Sequence, residues 1–174
     1  GKTIECKIRI IGLTRTYKRG FNIKVIIFGT KQLAELAYYV LTHDSAYEVA
    51  AFTVEKKYQN TDELFGLPVV DFATIENVYP PEEYKMIIPL GNSQACQLRT
   101  NCYLEAKQKG YSFINYISSR AITWPDLTIG ENCMIFEGTI IQPFTKIGNN
   151  VLITSGVHIS HHNAIEDHCF IAAR

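Results

Sequence analysis

No apolar run in this 174-residue sequence approaches the roughly 18 residues of a membrane-spanning helix, and nothing in it has the layout of a signal peptide. Neither membrane insertion nor export is expected. The five cysteines, Cys6, Cys96, Cys102, Cys133 and Cys169, lack both metal-site and disulfide-framework spacing. An odd count without an export signal predicts reduced thiols and a cytoplasmic protein, with no metal site. Net charge is absent too, Lys+Arg and Asp+Glu standing at 17 each. That balance is uneven, because Lys2, Lys7, Arg9, Arg15, Lys18 and Arg19 face only Glu5 in residues 1–22 and leave the rest acidic. An acidic body argues against nucleic acid as a partner. There is no initiator methionine. Residues 1–22 alternate Ile4, Cys6, Ile8 and Ile10 with Glu5, Lys7 and Arg9, a strand period, and read as a leader or added segment, or as an extra edge strand, without assigned function.

What the sequence does have is a register. Isoleucine returns every sixth position at Ile129, Ile135, Ile141, Ile147, Ile153, Ile159, Ile165 and Ile171. A hexad matches neither the 3.6-residue period of a helix nor an isolated strand. It matches a left-handed parallel β-helix, in which three short strands make one triangular coil and coils stack at the spacing of neighbouring strands. Two positions before each isoleucine stand Leu127, Cys133, Thr139, Thr145, Val151, Val157, Asn163 and Cys169, mostly compact or β-branched, and these are expected to point inward as well. Gly130 and Gly148 are expected at tight corners where a side chain would collide. A β-sandwich would need irregularly spaced hairpin turns, and none is evident. Residues 117–125 are expected to form the joint and a first imperfect coil. The hexads run to Arg174 without a polar cap, so the β-helix of 117–174 is expected to be incomplete, truncated at its carboxyl end and continuing beyond Arg174.

Residues 23–116 follow an α/β pattern. Buried-strand runs are Ile23–Phe28, Glu48–Val54, Leu67–Val70, Tyr84–Leu90 and Phe113–Tyr116, with helices expected from about Lys31, capped by Thr30, and over about 94–109. The first helix is expected to bury Leu33, Leu36, Ala37, Val40 and Leu41. This order predicts a small Rossmann-like parallel sheet with crossover helices, which binds ligands at the carboxyl ends of its strands. Those ends carry Gly29-Thr30-Lys31, Glu55 and Gly91-Asn92-Ser93. Free N–H groups at helix starts near Thr30 and Ser93, with Lys31 beside them, suit a diphosphate, although ordinary strand-to-helix turns read the same way locally. No G-x-G-x-x-G is present, which disfavours a nicotinamide or flavin dinucleotide.

Four of the five histidines, His158, His161, His162 and His168, fall in one window. His161 and His162, two and three residues after Ile159, are expected at a corner or outer face, where an imidazole can serve as a general base near neutral pH. The α/β segment with G29-T-K-Q, then F113-I-N-Y-I-S-S-R-A, then hexads with S155-G-V-H-I-S-H-H-N-A-I, resembles the hexapeptide-repeat sugar acyltransferases. Within these the similarity is to the sialic acid O-acetyltransferase family, including bacterial nucleotide-4-amino-sugar N-acetyltransferases.

The resemblance implies a homotrimer using acetyl-CoA, bound between neighbouring β-helices, to acetylate a sugar or nucleotide-linked amino sugar at oxygen or nitrogen. It puts the base on His161, with His162 where many members have an acid. It puts the phosphates at Gly29, Thr30 and Lys31, the nucleoside at Glu55, and the opposite wall at Gly91 and Asn92. Glu166 and Asp167 are alternatives for orienting the base. Phe170 occupies the place where some relatives have another histidine, so no thioester contact carries over there. The acetyl-CoA residues are expected mainly beyond Arg174. Two other readings remain at this point: a non-catalytic trimeric scaffold that binds a nucleotide sugar, and a γ-class carbonic anhydrase-like metalloenzyme. The second is disfavoured because His162 and His168, one hexad apart, would point in different directions.

Overall fold

The computed structural model describes residues 7–10, 13–16, 23–94 and 96–173. Lys7–Ile10 (β1) and Leu13–Thr16 (β2) pair antiparallel with each other. Ile4, Cys6 and the residues of 1–22 other than these two strands lie outside the described set.

The apolar runs become a five-stranded sheet. Its elements are β3 (Lys24–Phe28), α1 (Gln32–His43), β4 (Glu48–Val54), β5 (Glu63–Leu64), β6 (Leu67–Asp71), β7 (Tyr84–Ile87) and α2 (Gln97–Gln108). The strand order is β5-β6-β4-β3-β7, parallel except for β5 against β6. Both faces are covered, which is why Val25, Ile26 and Ile27 are all apolar and fully buried. One face packs on Ala34, Ala37, Val40 and Leu41 of α1. The other packs on Cys102, Tyr103 and Ala106 of α2 and on Phe72 and Ile75 of a short 3-10 segment.

Four local expectations are corrected. Leu36 is 40% exposed and Leu33 only half-buried, because α1 turns the smaller Ala34 and Ala37 to the sheet, allowing close approach. Thr30 does not cap α1; Lys31 holds the N-cap position, with no side chain closing the first turn. The second helix starts at Gln97, since Cys96 adopts a left-handed φ of 67° that a helix does not tolerate, so Ser93 is not its amino terminus. At the far edge, the expected strand at Phe113 shrinks to a bridge with Met86.

The hexads build the second half from two-residue strands: β8 (Tyr116–Ile117), β9 (Thr128–Ile129), β10 (Met134–Ile135), β11 (Ile140–Ile141), β12 (Lys146–Ile147), β13 (Leu152–Ile153), β14 (His158–Ile159), β15 (Ala164–Ile165) and β16 (Phe170–Ile171). Every pairing among them is parallel and joins residues three hexads apart. The result is a left-handed parallel β-helix with faces β8-β10-β13-β16, β9-β12-β15 and β11-β14, the last extended by an Ile122–Ile140 bridge. All eight hexad isoleucines belong to its interior cluster.

The inward polar groups are satisfied by the coil itself. Thr139 Oγ1 donates to the Thr154 carbonyl at 3.1 Å and Thr145 Oγ1 to that of Ser160 at 3.2 Å. Asn163, in the same register, is exposed instead and donates to the Ser160 carbonyl. A Cβ on Gly130 would meet the Gly148 backbone at 2.8 Å, so the expected collision is real. The corner conformation nevertheless sits elsewhere, three residues after each isoleucine from Ile129 to Ile165, at Asn132, Gly138, Phe144, Asn150, Gly156, His162 and His168, all with positive φ.

The two halves dock through one prism face. Tyr116, Met134, Leu152 and Phe170 precede the inward isoleucines of β8-β10-β13-β16 and so point outward, into the core between the sheet and α1. Phe170 therefore serves packing, at the position where the resemblance implies a histidine in some relatives. Asp44, at the end of α1, accepts from the Tyr116 hydroxyl at 2.9 Å and from the Ser119 N–H at 2.9 Å, tying the helix to the first coil.

Candidate active site

A cavity of about 820 Å³ opens at the carboxyl ends of β3, β4 and β7. Gly29, Thr30, Lys31, Glu55 and Gly91 line it, so five of the six positions expected to bind a nucleotide sugar come together. Asn92 is exposed and not part of the lining, while Ser93 is. Gly29, at φ +102°, makes the left-handed turn that lets α1 start against the cavity. Because no side chain caps α1, the N–H groups of Thr30, Lys31, Gln32 and Leu33 have no partner among the described residues. Unsatisfied N–H groups at a helix start carry partial positive charge and suit an anionic oxygen. Lys31 adds an exposed ammonium that makes no ion pair among the described residues. Glu55 pairs with Lys57 at 2.5 Å on the far rim. Cys102 also lines the cavity, but burial pushes its thiol up to about 12, so it stays protonated and is a poor nucleophile.

The histidines stand elsewhere. Face β8-β10-β13-β16 is docked on the α/β domain, and the corner containing His161 and His162 joins the other two faces, so it is the vertex opposite the docked face. Within one chain the structure does not bring these histidines to the cavity. At that vertex His161 Nδ1 lies 2.9 Å from His162 Nδ1, with the rings perpendicular. Such a contact needs one proton between two nitrogens, so the imidazoles hold complementary tautomers. One of them then has a proton-free Nε2. The His161 N–H is held by Gln142 Oε1 at 3.1 Å and the His162 N–H by the Pro143 carbonyl at 3.2 Å. The His162 ring rests on Phe144, centroids 4.7 Å apart.

The three vertices differ in cost. One uses Gly138 and Gly156, another Asn132 and Asn150 with His168 at 65°, and this one Phe144 at 62° with His162 at 58°, so Phe144 is what sets it apart. A bulky residue there costs roughly 1–2 kcal/mol, and such strain concentrates at functional sites. His158 points outward from β14, and His168 occupies the Asn132–Asn150 corner, its Nδ1 2.8 Å from Asn150 Nδ2. His162 and His168 thus face different neighbours. No three His, Cys, Asp or Glu side chains among the described residues are grouped to hold a metal ion. Asp167 accepts from the Asn149 N–H at 2.6 Å, at a corner away from the histidine pair.

Sequence reasoning missed two things. The outward ladder Tyr116, Met134, Leu152 and Phe170 was available as large apolar residues in every third hexad, and it identifies the docked face. Arg99, 1% exposed, gave no signal, because arginine on a helix ordinarily reads as solvated.

A β-helix with a parallel α/β domain packed on one face defines a hexapeptide-repeat architecture. Residues 126–161 match the family model described as bacterial transferase hexapeptide (six repeats). The whole fold is similar to the acetyltransferase domain of PglB from Neisseria gonorrhoeae FA1090, solved in complex with acetyl coenzyme A, with a TM-score of 0.73 and 15% identity over 86% of this chain and 70% of that one. It is similar also to PerB from Caulobacter crescentus, solved in complex with CoA and GDP-perosamine, with a TM-score of 0.73 and 22% identity over 84% of this chain and 67% of that one. WeeI from Acinetobacter baumannii AYE matches with a TM-score of 0.69 and 15% identity over 87% and 73%. No curated protein matches the sequence.

Proposed function

We propose that this protein is an acetyl-CoA-dependent acetyltransferase acting on a nucleotide-linked sugar, with His161 as general base. The observation that carries the reading is the hydrogen-bonded imidazole pair on a strained hexad vertex, in a fold shared with proteins solved with acetyl coenzyme A, or with CoA and GDP-perosamine. With the Nδ1 proton of His161 donated to His162, Nε2 of His161 is the free lone pair. His162 then plays the orienting part that a carboxylate plays in the resembled family.

His161 takes the proton from the acceptor amine or hydroxyl as that group forms its bond to the thioester carbonyl. The carbon–sulfur bond breaks, and the proton passes to the departing thiolate to give free coenzyme A. No covalent enzyme intermediate is needed, in keeping with the protonated Cys102. The cavity holds the nucleotide, its diphosphate at the uncapped start of α1 and its base toward Glu55.

Because the vertex and the cavity lie on opposite sides of one chain, a complete site joins the cavity of one copy to the vertex of another. This favours a homotrimer. Exposed Ile122, Ile140 and Phe144, at 57%, 36% and 63%, give the vertex an apolar flank suited to a neighbouring chain and to the pantetheine arm of the acyl donor. Among the described residues no helix is long and apolar enough to cross a membrane, and Cys96, Cys102 and Cys133 are free and buried, which suits a reducing cytoplasm.

Thiol release from acetyl-CoA, measured over a panel of nucleotide 4-amino sugars and sialic acids, tests the reading and selects between nitrogen and oxygen acceptors. Release with a nucleotide sugar is expected. Tight binding of a nucleotide sugar without release would favour the scaffold reading, and abolition of release by a chelator would favour a metalloenzyme.

A further inference from the structure

Arg99 is out of place by ordinary rules. It is a cation in the first turn of α2, where the helix dipole disfavours positive charge, and it is 1% exposed with no carboxylate on it among the described residues. Among the described residues its guanidinium donates to four backbone carbonyls: Nη1 to Leu90 at 2.9 Å and Gly91 at 3.1 Å, Nη2 to His168 at 2.7 Å and Cys169 at 2.9 Å, and Cys96 lies beside it. Nε is buried without a partner. Two of the carbonyls belong to the cavity wall after β7, and two to the β-helix.

The same wall is tied a second time. The Ile88 N–H donates to Asn132 Oδ1 at 2.8 Å, which fixes the Asn132 amide, whose Nδ2 donates to Asn150 Oδ1 at 2.8 Å. Asn150 Nδ2 must then donate to His168 Nδ1, setting that ring as the Nε2–H tautomer. The segment from Ile88 to Gly91 is thus held by one corner of the β-helix.

In a trans peptide the carbonyl and the next N–H point in opposite directions. Turning the Leu90 and Gly91 carbonyls toward Arg99 therefore turns the Gly91 and Asn92 N–H groups away from it, and neither N–H has a partner among the described residues. We propose that Arg99 is a positioning residue that presents the Gly91 amide in the cavity wall, and the Asn92 amide between lining residues Gly91 and Ser93, to an anionic oxygen of the cavity's ligand, facing the amides of Thr30–Leu33. This rests on the nucleotide-sugar reading of the cavity and deepens it. The ligand class is a nucleoside diphosphate group gripped from two sides, with the second grip set by the β-helix.

The test is an amide-resolved NMR titration of the protein with inorganic pyrophosphate, UDP and GDP in turn, repeated with Arg99→Lys. The Gly91 and Asn92 amides are expected to shift together with those of Gln32 and Leu33. In Arg99→Lys the Gly91 and Asn92 shifts should disappear while those of Gln32 and Leu33 persist, with affinity about tenfold weaker, the scale of a lost charge-assisted hydrogen bond. Gln32 and Leu33 responding without Gly91 and Asn92 in the wild type would overturn the inference and leave the nucleotide reading standing. Silence of all four amides toward every probe would overturn both. Uniform loss of all shifts in a folded Arg99→Lys would reduce Arg99 to a structural role and overturn the inference. If Arg99→Lys does not fold, the wild-type titration decides alone.

Discussion

The cavity is lined at its working end by backbone, and the vertex by side chains. At the cavity the offered groups are amides left open by an uncapped helix and a glycine turn, which can grip charge but cannot accept a proton. At the vertex they are two imidazoles, that of His162 on left-handed backbone, which can move a proton but present no enclosed volume. On the proposed function binding and chemistry are thereby separated, so substitutions in the two regions should change different kinetic constants. The largest expected effect is at the vertex: His161→Ala should lower kcat by about 10²–10⁴-fold, the usual worth of general-base assistance, with KM for the nucleotide sugar unchanged in steady-state assays. At the cavity, Lys31→Glu should raise that KM by about tenfold or more and leave kcat at saturation intact, an effect that added salt diminishes.

A subtler contrast concerns strain. Phe144 holds a positive φ that asparagine tolerates better, so Phe144→Asn should raise unfolding stability in urea by about 1 kcal/mol while removing the ring beneath His162 and slowing turnover severalfold. Equal or lower stability would show that the vertex stores no strain.

The smallest effect expected is at the joint between the halves. Burial alone would raise the Asp44 carboxyl, but hydrogen bonds from Ser119, Tyr116 and Ser118 outweigh it and hold Asp44 below its ordinary range. A depressed carboxylate adds stability that is complete above its unfolded pKa, near 3.8, and lost as pH falls through the folded value. Asp44→Ala should therefore cost about 1 kcal/mol at neutral pH and flatten the loss of stability below pH 4, read from melts across the acid range.

The β-helix was legible because its rule is local: a residue six positions on meets the same environment, so Ile129 to Ile171 declare the coil without any knowledge of tertiary contacts. The cavity was legible in outline, since Gly29, Lys31 and Gly91 follow buried strands. The start of α2 was hidden, because nothing in Cys96 announces a left-handed residue. The separation of His161 from the cavity was hidden more deeply. It depends on which prism face is docked, and that is written only in the eighteen-residue spacing of Met134, Leu152 and Phe170.

If one copy's cavity works with another copy's vertex, two variants with complementary defects should restore activity to each other. Co-assembly of the His161→Ala and Lys31→Glu variants, each assayed alone and as an equal mixture at limiting nucleotide sugar, tests it most directly. Random mixing in a symmetric assembly should leave about a quarter of the sites with an intact cavity facing an intact histidine pair, so the mixture should regain about that fraction of wild-type activity. A mixture no more active than the mean of its two parents would contradict the account.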